Sequence, residues 1–413
     1  MKFMKFFSPA FTQTKVQDTN AVQAIKNKFE HNHDPNLEEF DNTLFWAVTF
    51  IVTFGFIMVY SASLAIAEGS KMTNYNPYFF IMRHGIYLTT GIILGFLTFK
   101  IPMHFWKERA LPLFLIGAML LVIVLIPGIG KDVNGARRWI GLGLLNFQPS
   151  ELMKILAVLY ASDYISRKKE ILNNFKMSFF PMVGVITVIG FLLLREPDFG
   201  AFIVISFISF GILFLGGVKL RGFVVLIVMA VLGFIAIVWT SPYRLARIVG
   251  FMDPWQDPYG KGYQLSHSLI AFGRGEIFGV GLGGSIEKLF YLPEAHTDFL
   301  MAVIGEEFGL VGVMFVVGLF ATVVYRAFKI GDDALHLQRH FPSLVAQGMG
   351  LWFGFQAFIN IGVNIGLLPT KGLTLPLMSF GGSSIVANFI GLAILFRIDV
   401  DNRKLLRRRH EKF

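Results

Sequence analysis

Ten apolar stretches of roughly membrane-spanning length run through this 413-residue chain, and nothing else constrains its fold as tightly. A spanning helix needs about 20 mostly apolar residues, because without water every peptide group must find its hydrogen bond inside the helix. The stretches cover approximately residues 44–66, 84–103, 110–128, 150–166, 177–195, 200–217, 222–240, 299–325, 343–367 and 383–397. The fourth and tenth are the weakest, being short or carrying polar residues. A mean hydropathy of +0.60, with 54% hydrophobic and 15% charged residues, fits an all-α polytopic membrane protein of about ten transmembrane helices better than two or three soluble domains.

The charges then orient the chain. An even number of spans puts both termini on one side, and Lys and Arg are retained on the cytoplasmic face. With cytoplasmic termini, the inner segments hold 24 of the 37 Lys and Arg residues, the outer segments hold 12, and Lys154 lies within a span. Every inner loop is basic. The resulting division is a cytoplasmic N-terminal tail at 1–43, a membrane domain at 44–397 with a large outer loop at 241–298, and a basic cytoplasmic tail at 398–413. The first tail has no apolar core of signal-peptide length. The absence of cysteine removes disulfides, thiolate chemistry and cysteine-ligated metals. A net charge of +10 might suggest nucleic acid in a soluble protein, but here the cations flank apolar spans, so the partners are membrane lipids and no nucleic acid is expected.

The outer cations are the informative ones, because orientation does not explain them. Arg137, Arg138, Arg195, Arg244, Arg247, Lys261, Arg274, Lys288 and Lys371 lie beside Gly- and Pro-rich turns. They are either scattered surface charge or a site for an anionic ligand. Adjacent Arg137 and Arg138 can grip phosphate oxygens bidentately, with Trp139 suited to the membrane interface. In Gln148-Pro149-Ser150-Glu151, Ser150 can cap the next helix and Glu151 can complement its dipole. Lys154, one turn further, is an intramembrane charge that needs a partner. The candidates are Glu151 and, from the eighth span, Glu306 or Glu307. In Arg195-Glu196-Pro197-Asp198-Phe199-Gly200 the charges can neutralise one another around a tight turn.

The outer loop 241–298 contains Tyr263 to Phe272, which can lie as a half-buried helix. Gly279, Gly281 and Gly284 match a dinucleotide fingerprint only formally, since no strand precedes them. A tight backbone path is the better reading. The loop closes on Tyr291-Leu-Pro-Glu-Ala-His-Thr-Asp-Phe299, which sets Asp298 at the mouth of the eighth span. Glu306 lies eight positions on, about 80° round and roughly 12 Å deeper on an ideal helix, so Asp298 and Glu306 are expected to face one cavity. Glu294 and His296 are alternative acid or base groups. Gln356, Asn360 and Asn364 give the ninth span a polar stripe that must face protein or water. After it, a Gly/Ser/Thr-rich loop, Leu368 to Ser384, re-enters helix at Ser383, where Lys371 and loop amides can receive a phosphate.

Taken together, Asn134-Gly-Ala-Arg-Arg-Trp139, Gln148 to Glu151, Arg195 to Gly200, Tyr291 to Phe299 with Gly305-Glu306, and Leu368 to Ser384 resemble the SEDS family (shape, elongation, division and sporulation) of ten-span peptidoglycan glycosyltransferases. The resemblance covers residues 44 to 397. Pro369-Thr-Lys-Gly-Leu-Thr-Leu-Pro376 and the long N-terminal tail look like the division branch, not the elongation branch. Phe380 departs from the Tyr more usual before Gly-Gly-Ser-Ser. The resemblance implies that lipid II is polymerised on the periplasmic face of the bacterial inner membrane, at the division septum. It also implies a class B penicillin-binding protein partner, FtsI, beside other divisome membrane proteins. Asp298 matches the family's proposed catalytic carboxylate, acting as a base or holding a divalent cation such as Mg or Mn. Arg137, Arg138, Lys371, Arg195, Arg244 and Ser383 are then candidate substrate contacts, and Lys154, Glu151 and Glu306 are coupled intramembrane charges. Lipid II transport through Lys154, Glu306 and the ninth span, and a non-catalytic divisome scaffold, are the rival readings.

Overall fold

The computed structural model describes residues 40–133, 136–142, 145–168, 175–218, 224, 251–260, 262–369 and 372–410. Ten α-helices occur among them: α1 (Asn42–Gly69), α2 (Phe79–Lys100), α3 (Met103–Leu125), α4 (Pro149–Arg167), α5 (Phe175–Arg195), α6 (Phe199–Leu215), α7 (Tyr263–Gly275), α8 (Leu300–His336), α9 (His340–Asn364) and α10 (Gly382–His410). Nine of the ten expected spans coincide with helices. The seventh, 222–240, lies outside the described residues. Seven helices, α1, α2, α3, α5, α8, α9 and α10, are long and apolar enough to cross a membrane, and α6 is a shorter apolar helix. Helix α7 is the expected short helix of the outer loop.

The weakness of the fourth segment has a packing explanation. Nearly all of α4 is buried, including Glu151, Lys154, Ser162 and Asp163. A helix enclosed by other helices never meets lipid, so its polar residues need protein partners and not an apolar exterior. It packs on α3, α6 and α9. The tenth segment is likewise mostly enclosed, and its helix does not stop at 397 but continues to His410.

Helix starts follow local chemistry. The Asp41 carboxylate accepts from Leu44 N at 2.9 Å and caps α1, Pro149 occupies the first turn of α4, and Asp198 caps α6 by accepting from Ala201 N at 3.1 Å. At the same end of the bundle the region read as a loop between α3 and α4 is a three-stranded antiparallel sheet: β1 (Gly130–Val133), β2 (Ala136–Leu142) and β3 (Leu145–Phe147). The alternation of such short strands is masked by their Gly-rich connections.

Helix α8 is broken. Gly309 leaves helical geometry at φ 60°, ψ −158°, and the chain after α7 fills the gap. Val280 N and Gly281 N donate to the Glu306 and Glu307 carbonyls, while Leu310 N and Val311 N donate to those of Glu276 and Ile277. The helix amides and carbonyls freed by the break are thus satisfied by a neighbouring segment, as a membrane interior requires. Gly279 has φ +81°, and a Cβ there would stand 2.2 Å from the Glu307 carbonyl oxygen. The glycine cluster therefore serves the close backbone path read from the sequence.

Candidate active site

Asp298 sits in the turn that enters α8. Phe299 N and Thr297 N bond back to the Glu294 carbonyl, and Phe380 N donates to the His296 carbonyl, tying this turn to the start of the α10 connection. Two amides from α9 hold the Asp298 carbonyl: Asn360 Nδ2 at 2.8 Å and Asn364 Nδ2 at 2.9 Å. On its other side lies Gly372, at φ +68°, where a Cβ would be 3.2 Å from Asp298 Oδ2. Among the described residues, no side chain or backbone amide donates to the Asp298 carboxylate.

That carboxylate is partly open to solvent but crowded by protein. Desolvation, then the charge of Glu294, raises its pKa to about 7, with Arg138 opposing. A base of that pKa is half-ionised near neutrality and binds a proton far better than an ordinary aspartate. His296, buried between Phe80 and Phe380, is pushed below its usual value by desolvation, with Glu294 opposing. It is therefore a neutral ring packed in aromatics.

Arg138 joins β2 to the turn between α5 and α6. Its Nε donates to the Glu196 carbonyl at 3.1 Å and its terminal nitrogen to the Pro197 carbonyl. Arg137 does not join it: it pairs instead with Asp132 at 3.4 Å, both well exposed, and the pairing of β1 with β2 shifts register at these residues. The two arginines thus engage different partners.

Nor do the charges of the Arg195–Asp198 turn neutralise each other. Arg195 lies over the Phe191 ring at 5.0 Å and is exposed. Asp198 accepts from Ser150 Oγ at 2.8 Å and Gln148 Nε2 at 3.2 Å, so Ser150 ties α4 to α6 and does not cap its own helix. Glu196 is wholly buried, and neither carboxylate oxygen has a hydrogen-bond partner. Desolvation, followed by repulsion from Asp198, pushes its pKa to about 9 against the pull of Arg138. It is a neutral carboxylic acid at pH 7. Sequence reasoning missed this because its charged neighbours looked like partners.

Ser383, at the start of α10, accepts from Gln148 N at 2.9 Å and donates to the Asn146 carbonyl at 2.8 Å. It joins β3 and α4 to α10. Lys371, Arg244 and Arg247 lie outside the described residues.

The intramembrane charges form three separate locks. Lys154 bonds Glu151 at 2.7 Å and Gln356 Oε1 at 2.9 Å. Glu306 accepts from Arg274 at 2.6 Å, Ile286 N at 2.9 Å and Ser285 Oγ. Glu307 accepts from Lys288 at 2.6 Å and Ser61 Oγ at 2.8 Å. The expected pairing of Lys154 with Glu306 or Glu307 is therefore incorrect, and so is a shared cavity for Asp298 and Glu306. Asp298 precedes the helix, so the ideal helical angle does not apply to it. Lys154, Glu306 and Gln356, which the transport reading places along its path, are each engaged in these bonds. For a divalent cation, no group of three or more His, Asp or Glu side chains is placed to hold one among the described residues. Asp298 and Glu294 supply two carboxylates, short of a protein ligand set.

These features define a helical membrane protein with a carboxylate of raised pKa, Asp298, in the turn that enters α8. The family model of the FtsW/RodA/SpoVE proteins, described as "Cell cycle protein", matches residues 42–404, and the chain belongs to that family. It is 55% identical over 407 residues to the "Probable peptidoglycan glycosyltransferase FtsW" of Aromatoleum aromaticum, covering 98% of this chain and 99% of the relative. With the protein of the same description from Burkholderia thailandensis it shares 54% over 371 residues, 89% of this chain and 80% of the relative. Among solved structures, one described as "Structural coordination of polymerization and crosslinking by a peptidoglycan synthase complex" aligns with a TM-score of 0.72 and 28% identity, over 88% of this chain and 98% of the other. The crystal structure of the Thermus thermophilus rod shape determining protein RodA aligns with a TM-score of 0.63 and 28% identity, over 89% and 99%.

Proposed function

We propose that this chain is a peptidoglycan glycosyltransferase that polymerises lipid II at the outer face of the bacterial inner membrane, with Asp298 as the catalytic base. The observation that carries the assignment of Asp298 is its undonated carboxylate, with a pKa near 7, at the mouth of α8. Every other acid of α8's first half is locked to a cation. In the reaction, Asp298 takes the proton of the acceptor GlcNAc 4-hydroxyl. The oxygen forms a bond to C1 of the donor MurNAc as the bond from C1 to the lipid diphosphate breaks, and the electron pair leaves with the diphosphate. A positioned base supplies about 10² to 10⁴ in rate.

The departing diphosphate gains charge, which cations at the site edge stabilise. Arg138, whose field reaches the Asp298 carboxylate, is the described residue suited to this; Lys371 is the second candidate from the sequence. Arg138 also uses its bonds to the Glu196 and Pro197 carbonyls to hold the turn beside the site. A divalent cation at Asp298 would have to complete its shell with substrate oxygens.

The partner in this reading is a class B penicillin-binding protein, FtsI, at the division septum. Its support is the relatives' naming as FtsW and the alignment with a chain from a complex of polymerisation and crosslinking. The basic inner loops support cytoplasmic termini. The test is lipid II polymerisation in detergent by the purified protein with its penicillin-binding partner. Asp298→Ala and Asp298→Asn should both abolish glycan chains with the complex intact. Undiminished chains in either variant would overturn the role of Asp298.

A further inference from the structure

We infer that Asn360 and Asn364 of α9 are positioning residues for Asp298, holding its backbone and the segment from Gly372 to Thr374 in one register. The inference rests on the reading of Asp298 as the base.

The two asparagines lie one helical turn apart and are 2% and 0% exposed. Each donates one amide hydrogen to the same Asp298 carbonyl. Two donors occupy both lone pairs of that oxygen and stop the peptide plane from rotating, which fixes the direction of the aspartate side chain. The second hydrogens are also used. Asn360 Nδ2 donates to the Leu373 carbonyl at 2.6 Å, and Asn364 Nδ2 to the Asn360 carbonyl at 2.8 Å. Asn364 Oδ1 accepts from Ala302 N at 3.0 Å. This last bond gives a first-turn amide of α8, which also donates to the Phe299 carbonyl, a side-chain acceptor that the N-cap position, Phe299, does not supply. Gln356 extends the ladder by one turn, donating to the Thr374 carbonyl at 2.9 Å and accepting from Lys154.

One face of one helix therefore sets three things at once: the carbonyl of the base, the first turn of the helix that follows it, and the segment from Gly372 to Thr374, which lies against its carboxylate. Packing alone would favour an apolar face here, since a polar side chain in a bundle core has to be matched bond for bond. Asn360 is not fully matched, because its Oδ1 is buried without a partner. Its donors are what the structure uses. A base acts only within hydrogen-bond reach of the proton it removes, and a displacement of about 1 Å can cost on the order of 10²-fold in rate.

The test is a comparison of Asn360→Leu and Asn364→Leu with wild type, each as the full chain in complex with its penicillin-binding partner. Leucine keeps the branched shape and removes the donors. The expected result is a fall in kcat of about 10- to 100-fold with KM changed less than about threefold, and with melting temperature and complex formation retained. If a leucine variant fails to accumulate, Asn360→Ser and Asn364→Ser are measured the same way, since serine keeps one donor and should lose less rate. A wild-type kcat in folded variants, or a loss confined to KM or to melting temperature, would overturn the inference. Asp298→Asn run in parallel separates the two readings. An active Asp298→Asn removes the base itself, whereas an inactive one beside fully active asparagine variants removes only the positioning role.

Discussion

Two kinds of carboxylate stand within ten residues of each other at the start of α8, and they behave oppositely. Glu306 and Glu307 are both completely buried, yet each has a cation at 2.6 Å and a serine hydroxyl. Asp298 is less enclosed but has no donor at all among the described residues. Glu196, across the site entrance, repeats the second pattern in a wholly buried place. A buried charge with a matched partner serves the fold. A carboxyl without one is desolvated, binds its proton more tightly and becomes available for proton transfer. Pairing, more than depth, separates Glu306 and Glu307 from Asp298 and Glu196.

The sharpest way to break this contrast is to remove one acid of each kind. Asp298→Ala should lower polymerisation by about 10²- to 10⁴-fold and leave the melting temperature unchanged, because no bond to the carboxylate is lost. In the wild type, rate should climb with pH through about 7 as Asp298 ionises, a limb that a pH–rate series would locate. A limb at ordinary aspartate values would count against the buried-base picture. Glu307→Ala should do the reverse. It strands the Lys288 ammonium, only 6% exposed, and should cost about 3–5 kcal/mol, seen as lost accumulation or a lower melting temperature in detergent. Replacing Lys288 with Met in the same chain should recover much of that loss.

Gly279→Ala probes the segment that fills the break in α8. The added methyl meets the Glu307 carbonyl, and overpacking of this kind costs about 1–3 kcal/mol, measurable by thermal unfolding. Glu196 provides a pH-dependent test of the same contrast. Its folded pKa of about 9 exceeds the value of an unfolded glutamate, so the protein is most stable below the unfolded value. That stability is lost as pH rises toward 9, by at most about 1.4 kcal/mol per pH unit. Glu196→Gln removes the ionisable group and should raise the melting temperature at pH 8 more than at pH 5. An equal effect at both values would mean that Glu196 is paired after all.

Much of this was legible in the chain. Nine of the ten expected segments are helices where apolar length placed them, α7 lies where its pattern suggested, and Asp298 stands at the mouth of α8. The Lys154 partner was half legible. Glu151, three residues away, is a local pair that helical spacing exposes, whereas Gln356 comes from another helix. The different partners of Arg137 and Arg138 were illegible because they come from the strand register and from the Glu196–Pro197 turn, neither of which is local to the two arginines.

The sequence by itself determined a multi-span helical protein, the placement of its charges at span ends, and the turn that presents Asp298. These are local properties, since hydropathy and capping act over a single helix or turn. Only the tertiary structure decided which acid received which cation, that Glu196 would have none, and that Asn360 and Asn364 would meet on one carbonyl. Those outcomes depend on contacts between residues far apart in the chain, such as Ser61 with Glu307, 246 positions apart, and on the burial that packing creates around them.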